Sequence, residues 1–497
     1  MALRHSLRLI LLAFLWTGCS SWFTDERPQA RKKKRGKSRK AHIEAKRELQ
    51  AADDANAHVE SNVKVELLGQ APADAPNILL ISLDTLRADA LPSYGGRPDN
   101  APALTALASE GILFTNSYAQ APSTSPTHAS MFTSQLPAEH GVMGTKHRLP
   151  LSHWTLAEHL QAYGYRTWAT TSSVRFALGV QLNQGFSEYA VYSQGTQYEK
   201  SSSAMKVALQ TIPQDPARPW FGFIHLMDVH APYLVPEPHQ SKYLTGVSSV
   251  PPEDTVRFLH QYRLDKDAVS EQQVEDLRAM YAGGVSHVDT RIAQIVAAVK
   301  ALERPTVVVV TADHGEAFFE KNYLGHGAFL HEAIMRVPLI FWGPGLVPPG
   351  PPRNALAQSI DLFPTLTAYA KVPPPEGLRG ENLRPVIEGN DVPSGRTVIG
   401  QAPQRSMLIR ETEGGPYKLV LNGKNRKPRL YALSDDPLEQ TNLARKHPEL
   451  VAQLKPALTS VSFRALAKTR AQNEEQWDIT DAEREALEAI GYMDAGP

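Results

Sequence analysis

The stretch NILLISLD, residues 77–84, is an almost unbroken apolar run closed by an acid. A run this short, without polar alternation, reads as a strand buried on both faces, as in a parallel sheet covered by helices. A second run of the same kind, TVVVVTADH, residues 306–314, ends in Asp313 and His314. Ligands of open α/β sheets bind beyond the carboxyl ends of the strands, so Asp84, Asp313 and His314 are expected at one sheet edge. Between them in sequence, STSPTH, residues 123–128, supplies Thr124 two residues before Pro126. Hard oxygen ligands, an imidazole and a hydroxyl are the parts of a metal-assisted site for attack on a phosphorus or sulfur ester. Singly, each has a plainer explanation as a cap or a turn residue; their convergence at one edge is what favours chemistry.

Outward from these runs, strands and helices alternate. YRTWATTS (165–172), WFGFIHL (220–226) and PLIFWG (338–343) read as further strands; TLAEHLQAYG (155–164), residues 271–303 and DLFPTLTAYA (361–370) read as helices. The alternation predicts an α/β fold, a mostly parallel sheet sandwiched by helices. The Pro- and Gly-rich segment at 373–385 marks the exit from that core. SMLIRE, YKLVLNGKNRKPRLYAL and a helix after His447 then predict a small C-terminal antiparallel-sheet subdomain. The expected organisation is a signal segment (1–19), a charged tether (20–75), a catalytic domain (76–395), the subdomain (396–470) and a C-terminal extension (471–497). Solenoid repeats are not evident.

Four stretches also carry a family resemblance: PNILLISLDTLRADALPSYGG, EGILFTNSYAQAPSTSPTHASMFTSQLPAEHGV, TADHGEAFFEKNYLGHG and MRVPLIFWGPG. In this order they resemble the successive motifs of the sulfatase family, within the alkaline phosphatase superfamily, and LYALSDDPLEQTNLA is similar to that family's C-terminal subdomain. The resemblance implies a metal site of Asp84, Asp313 and His314 with Thr124 at its open position. It also implies contacts to the ester from His230, in HLMDVHAPY, and from His326, in a Gly-His-Gly that stands where sulfatases have Gly-Lys-Gly. His128 takes the place of an arginine and is expected to serve the oxyanion or the leaving group. His225 and His331 have no such match and read as structural.

The departures from the family are informative. Sulfatases carry Cys-x-Pro-x-Arg, whose cysteine becomes formylglycine, whereas this chain has Thr124-Ser125-Pro126-Thr127-His128 and a single cysteine, Cys19. Thr124 therefore has to act as itself. Pro126 suits the first turn of a helix and Ser125 its N-cap, which would set Thr124 at a helix mouth whose free N–H groups face an oxyanion. Thr85 stands where the family has a second aspartate and is not expected to ligate. Imidazole in the donor set favours zinc or manganese over calcium as the divalent ion.

Formal charge is zero, from 52 basic and 52 acidic side chains, but residues 1–50 hold 13 Lys and Arg against 4 Asp and Glu. Arg4 and Arg8 precede the apolar run Leu9 to Leu15, too short to span a bilayer and right for a signal peptide. It ends at Trp16-Thr17-Gly18-Cys19, which resembles a bacterial lipobox, so Cys19 is the expected lipidation site. The basic tract at 31–40 suits anionic headgroups rather than nucleic acid in an exported protein. These readings predict a membrane-anchored lipoprotein, periplasmic or at the bacterial cell surface, that hydrolyses an anionic ester through a covalent threonine intermediate. Phosphate mono- or diesters are expected ahead of sulfate esters. The alternatives are a phosphoglycol- or phosphoethanolamine-type transferase and a catalytically silent binding protein.

Overall fold

The structure, a computed structural model, describes residues 65–144, 147–212, 217–264, 269–390, 395–422 and 427–472, with Arg484 and Leu487. The signal segment, Cys19, the basic tract and most of the extension after 471 lie outside the described residues.

An eight-stranded sheet forms the centre, from β1 (Asn77–Leu83), β2 (Ile112–Tyr118), β3 (Arg166–Thr171), β4 (Glu188–Val191), β5 (Trp220–Leu226), β6 (Thr306–Thr311), β9 (Leu339–Trp342) and β10 (Arg353–Gln358). The order is β10-β2-β9-β6-β1-β5-β3-β4, and only β9 runs antiparallel to its neighbours. β7 (Ala317–Phe318) and β8 (Leu324–Gly325) form a separate hairpin ladder. Because successive side chains of a strand point to opposite faces, an all-apolar strand feeds two cores at once. Leu79, Ile81, Val308, Val310 and Ile224 enter one core, while Ile78, Leu80, Val307, Val309, Phe221 and Phe223 enter the other.

Helices α1 (Pro102–Glu110), α2 (Thr124–Thr133), α3 (Leu156–Ala162), α4 (Gln197–Thr211), α5 (Glu271–Lys300) and α6 (Leu362–Tyr369) cover the sheet. α5 is the longest; Ser270 caps it by accepting from the Gln273 amide, and Leu277, Met280, Val285, Val288, Ile292 and Ile295 pack on the first core. α2, α3 and α6 close the other face with Phe132, Leu156, Leu160, Phe363 and Leu366. The segment at 373–385 is not a simple exit: the Gly380 amide bonds Ser134 Oγ (2.9 Å) and the Glu381 amide bonds Asp361 Oδ1 (2.8 Å). Its backbone needs these partners, which the buried Asp361 and Ser134 provide.

The subdomain is a meander of β11 (Thr397–Ala402), β12 (Arg405–Thr412), β13 (Gly415–Asn422) and β14 (Lys427–Ala432), backed by α7 (Pro448–Gln472). Leu408, Leu419, Leu421 and Leu430 pack on Val451, Leu454 and Leu458. No helix among the described residues is long and apolar enough to cross a membrane.

Gly222, in the middle of β5, makes room for an indole: a Cβ there would lie 2.3 Å from Trp168 Cζ2 on the neighbouring strand. Gly222→Val is therefore expected to destabilise the fold by about 1–3 kcal/mol through overpacking. Urea midpoints measure this, and an unchanged midpoint would mean that the indole has room to move.

Candidate active site

The register of the central strands builds the site. Ser82 of β1 pairs with His225 of β5 on one side and with Thr311 of β6 on the other. Asp84, two residues beyond Ser82, therefore ends beside His225 and beside Asp313, two residues beyond Thr311. Asp84, Asp313 and His314 are fully buried, and their ligand atoms lie within 4.8 Å of one another. Asp313 Oδ1 accepts from the His314 amide (2.9 Å) and the Thr85 amide (3.3 Å), and Oδ2 lies 3.3 Å from His314 Nε2. Thr85 holds φ at +61°, with its carbonyl bonded by Tyr281 of α5 (2.9 Å). It contributes backbone rather than a ligand.

Thr124 is the first residue of α2, and its Oγ1 is 3.5 Å from both Asp84 Oδ2 and His314 Nε2. Ser125 is not the N-cap. The extended residue before the helix is Ser123, at φ −159° and ψ 154°, so Pro126 falls at the third helical position. Proline is harmless there, since the first amides of a helix have no intrahelical acceptor.

His128 is held by contacts within the fold. Its ring is fully buried, with Nδ1 2.8 Å from the Thr124 carbonyl and Nε2 2.9 Å from Ser82 Oγ. These contacts lock the first turn of α2, at Thr124, to β1, and Nδ1 lies 3.9 Å from Asp313 Oδ2. His225, read as structural, is in the site instead, with Nε2 3.0 Å from Asp84 Oδ2. His331 lies 3.4 Å from Glu439 of the subdomain. His230 bonds the Ala231 carbonyl through Nδ1 (2.7 Å), and its ring centroid is 5.1 Å from that of His326. His326 in turn lies 4.4 Å from His314 and bonds Glu316 Oε1 through Nδ1 at 3.0 Å. Of the residues that the sequence reading missed, only His225 carried a signal, as a polar side chain inside an otherwise buried strand.

Burial pushes the imidazole pKa of His128 down to about 3 and those of His225 and His230 down to about 4, so all three are neutral near physiological pH. Burial also works against a charged His314, but Asp313 and Asp84 outweigh it and hold that ring above its ordinary value. Asp84 is pushed up by burial. Among the described residues, Asp84 Oδ1 and Asp313 Oδ2 have no hydrogen-bond partner. Two buried carboxylates with bare oxygens turned toward one imidazole are costly alone and are the donor set a divalent cation requires.

The profile of the family described as Sulfatase matches residues 76–372, and that of "N-sulphoglucosamine sulphohydrolase, C-terminal" matches residues 317–464. The chain belongs to the sulfatase family. It is thus an ester hydrolase of that family, and the mixed, mostly parallel sheet with a C-terminal antiparallel sheet is the sulfatase fold. Arylsulfatase K of Bos taurus is 23% identical over 451 residues, covering 79% of this chain and 82% of its own length. The uncharacterized sulfatase YidJ of Escherichia coli K12 is 26% identical over 423 residues, covering 74% and 83%. The crystal structure of the phosphonate monoester hydrolase of Agrobacterium radiobacter superposes with a TM-score of 0.64 at 20% identity, over 79% of this chain and 96% of that one.

If the bare oxygens mark a cation site, manganese or zinc at about 100 times its dissociation constant should stabilise the protein by about 2.7 kcal/mol. Asp313→Asn should abolish the shift in thermal midpoint. His225→Ala should weaken retention about 10- to 100-fold by freeing the Asp84 carboxylate, while His331→Ala should leave it unchanged. Equal shifts in the parent and in Asp313→Asn would place the ion elsewhere.

Proposed function

We propose that this sulfatase-family hydrolase cleaves phosphate mono- or diesters in preference to sulfate esters, with Thr124 as nucleophile. The observation that carries this reading is the Thr124 hydroxyl itself, at a helix N-terminus and within 3.5 Å of Asp84 and His314. A formylglycine cannot arise from cysteine here, because the one cysteine is Cys19. A formylglycine hydrate expels sulfate by elimination, whereas an ester formed on threonine must be cleaved by attack at the central atom, a course open to phospho-threonine.

Thr124 Oγ1 loses its proton and attacks phosphorus, the bond to the leaving oxygen breaks and that oxygen takes up a proton, and water later cleaves the phospho-threonine to phosphate and free Thr124. The amides of the first turn of α2 face the anion as it forms. His230 and His326 contact the ester oxygens. His128 and His225, both neutral, hold Thr124 and Asp84 in place without adding charge. Asp84, Asp313 and His314 would hold a divalent cation, which would supply Lewis acidity and lower the pKa of the hydroxyl beside it. The imidazole-carboxylate set suits zinc or manganese ahead of calcium.

The test is turnover of aryl phosphate, bis-aryl phosphate, aryl phosphonate and aryl sulfate with each of these metals. Phosphorus esters should lead, and aryl sulfate as the best substrate would overturn the preference. Thr124→Ala should lower turnover by at least about a thousandfold with the fold intact, and Thr124→Ser should retain more. Near-parental turnover of Thr124→Ala would refute the nucleophile.

The same reading makes the protein an exported lipoprotein, cleaved before Cys19 and lipidated there, its basic tract on an anionic membrane surface. Cys19→Ser should move it out of the membrane fraction, and a mature N-terminus other than a lipidated Cys19 would contradict the anchor.

A further inference from the structure

We propose that Glu316, with Tyr233, is a positioning residue that fixes the His326 ring for its contact with the ester. This rests on the reading of His326 above and assigns the device that orients it. The β7-β8 ladder pairs Ala317 with Gly325, so the next residues outward, Glu316 and His326, stand opposite each other. Glu316 Oε1 lies 3.0 Å from His326 Nδ1, and Oε2 accepts from Tyr233 Oη at 3.1 Å. Tyr233 follows His230 on the same loop, so one carboxylate ties together the segments that carry both ester-facing histidines.

The backbone around the pair is fixed as well. Gly325 and Gly327 hold φ at +90° and +97°, and Tyr323 Oη bonds the His326 carbonyl at 2.6 Å. With Nδ1 committed to Glu316, contact with an ester oxygen falls to Nε2.

Glu316 is 1% exposed, and a buried carboxylate is more costly than an amide that could make the same two contacts. Arg87 does not neutralise it by direct pairing: Nη1 bonds the Glu316 carbonyl (2.9 Å), while the guanidinium pairs with Asp89 and Glu320. Among the described residues, the basic group nearest the carboxyl is the His326 ring, 3.0 Å from Oε1.

The test is a double-mutant cycle on the best ester of the panel, with manganese. Glu316→Gln should lower kcat roughly 10- to 100-fold with KM within about threefold of the parent. Bound manganese and the thermal midpoint should stay near parental values. In a His326→Ala background the same change should cost less than about twofold, because Glu316 acts through that ring. Tyr233→Phe should lower kcat by a smaller factor and should also become silent in that background. An undiminished effect of Glu316→Gln in His326→Ala, or loss of manganese from Glu316→Gln, would overturn the assignment. Thr124→Ala separates the two levels: if it stays active, the nucleophile reading fails; if it is inactive and the cycle is additive, only the role of Glu316 falls.

Discussion

Two carboxylates brought together out of water govern this structure. Asp84 and Asp313 end neighbouring parallel strands, and the register of β1 and β6 leaves them side by side at full burial. Such a pair is a liability unless charge and hydrogen bonds compensate it. The surroundings supply part of that: two amides on Asp313, the His225 ring on Asp84 and His314 between the carboxylates. A divalent cation held there would supply the remainder, and the Thr124 hydroxyl stands 3.5 Å from Asp84 and His314, beside that position. Burial keeps the supporting histidines neutral, so they orient the acids without competing for the positive role.

The subdomain takes part in the same arrangement. The loop from Leu324 to Met335, which carries His326, is gripped from outside the main sheet. Arg405 of β12 bonds the Ala328 carbonyl (2.8 Å), and the fully buried Lys418 of β13 pairs with Glu332 (2.8 Å) and Glu439 (2.9 Å). A buried lysine between two carboxylates tolerates loss of either partner poorly, so the meander works as a clamp on the site as well as a separate layer.

Much of this was legible in the chain because buried parallel strands leave an apolar trace in sequence. NILLISL, WFGFIHL and TVVVVT each became a central strand, and the acids after two of them met as the topology demands. What the sequence hid were the directions of side chains. His128 occupies a motif position that suggested contact with the ester, yet its place four residues into α2 turns it down onto Ser82. His225 lacked a motif match, but strand pairing sets it on Asp84. Glu316 reads as an ordinary acid after a turn until the short β7-β8 ladder places it across from His326, a relation between residues ten apart that no local periodicity reveals. The helix start shifted by two residues, from an expected cap at Ser125 to Ser123, for a similar reason, since a cap is defined by backbone angles rather than by residue type alone.

The central claim is that Thr124 carries the transferred group. It is tested most directly by quenching the metal-loaded protein during turnover of its best phosphorus ester and locating any covalent adduct by peptide mass spectrometry. The account predicts a phosphorylated peptide with the modification on Thr124, formed at a rate competent for turnover. Turnover with no such adduct, or with an adduct on another residue, would contradict it.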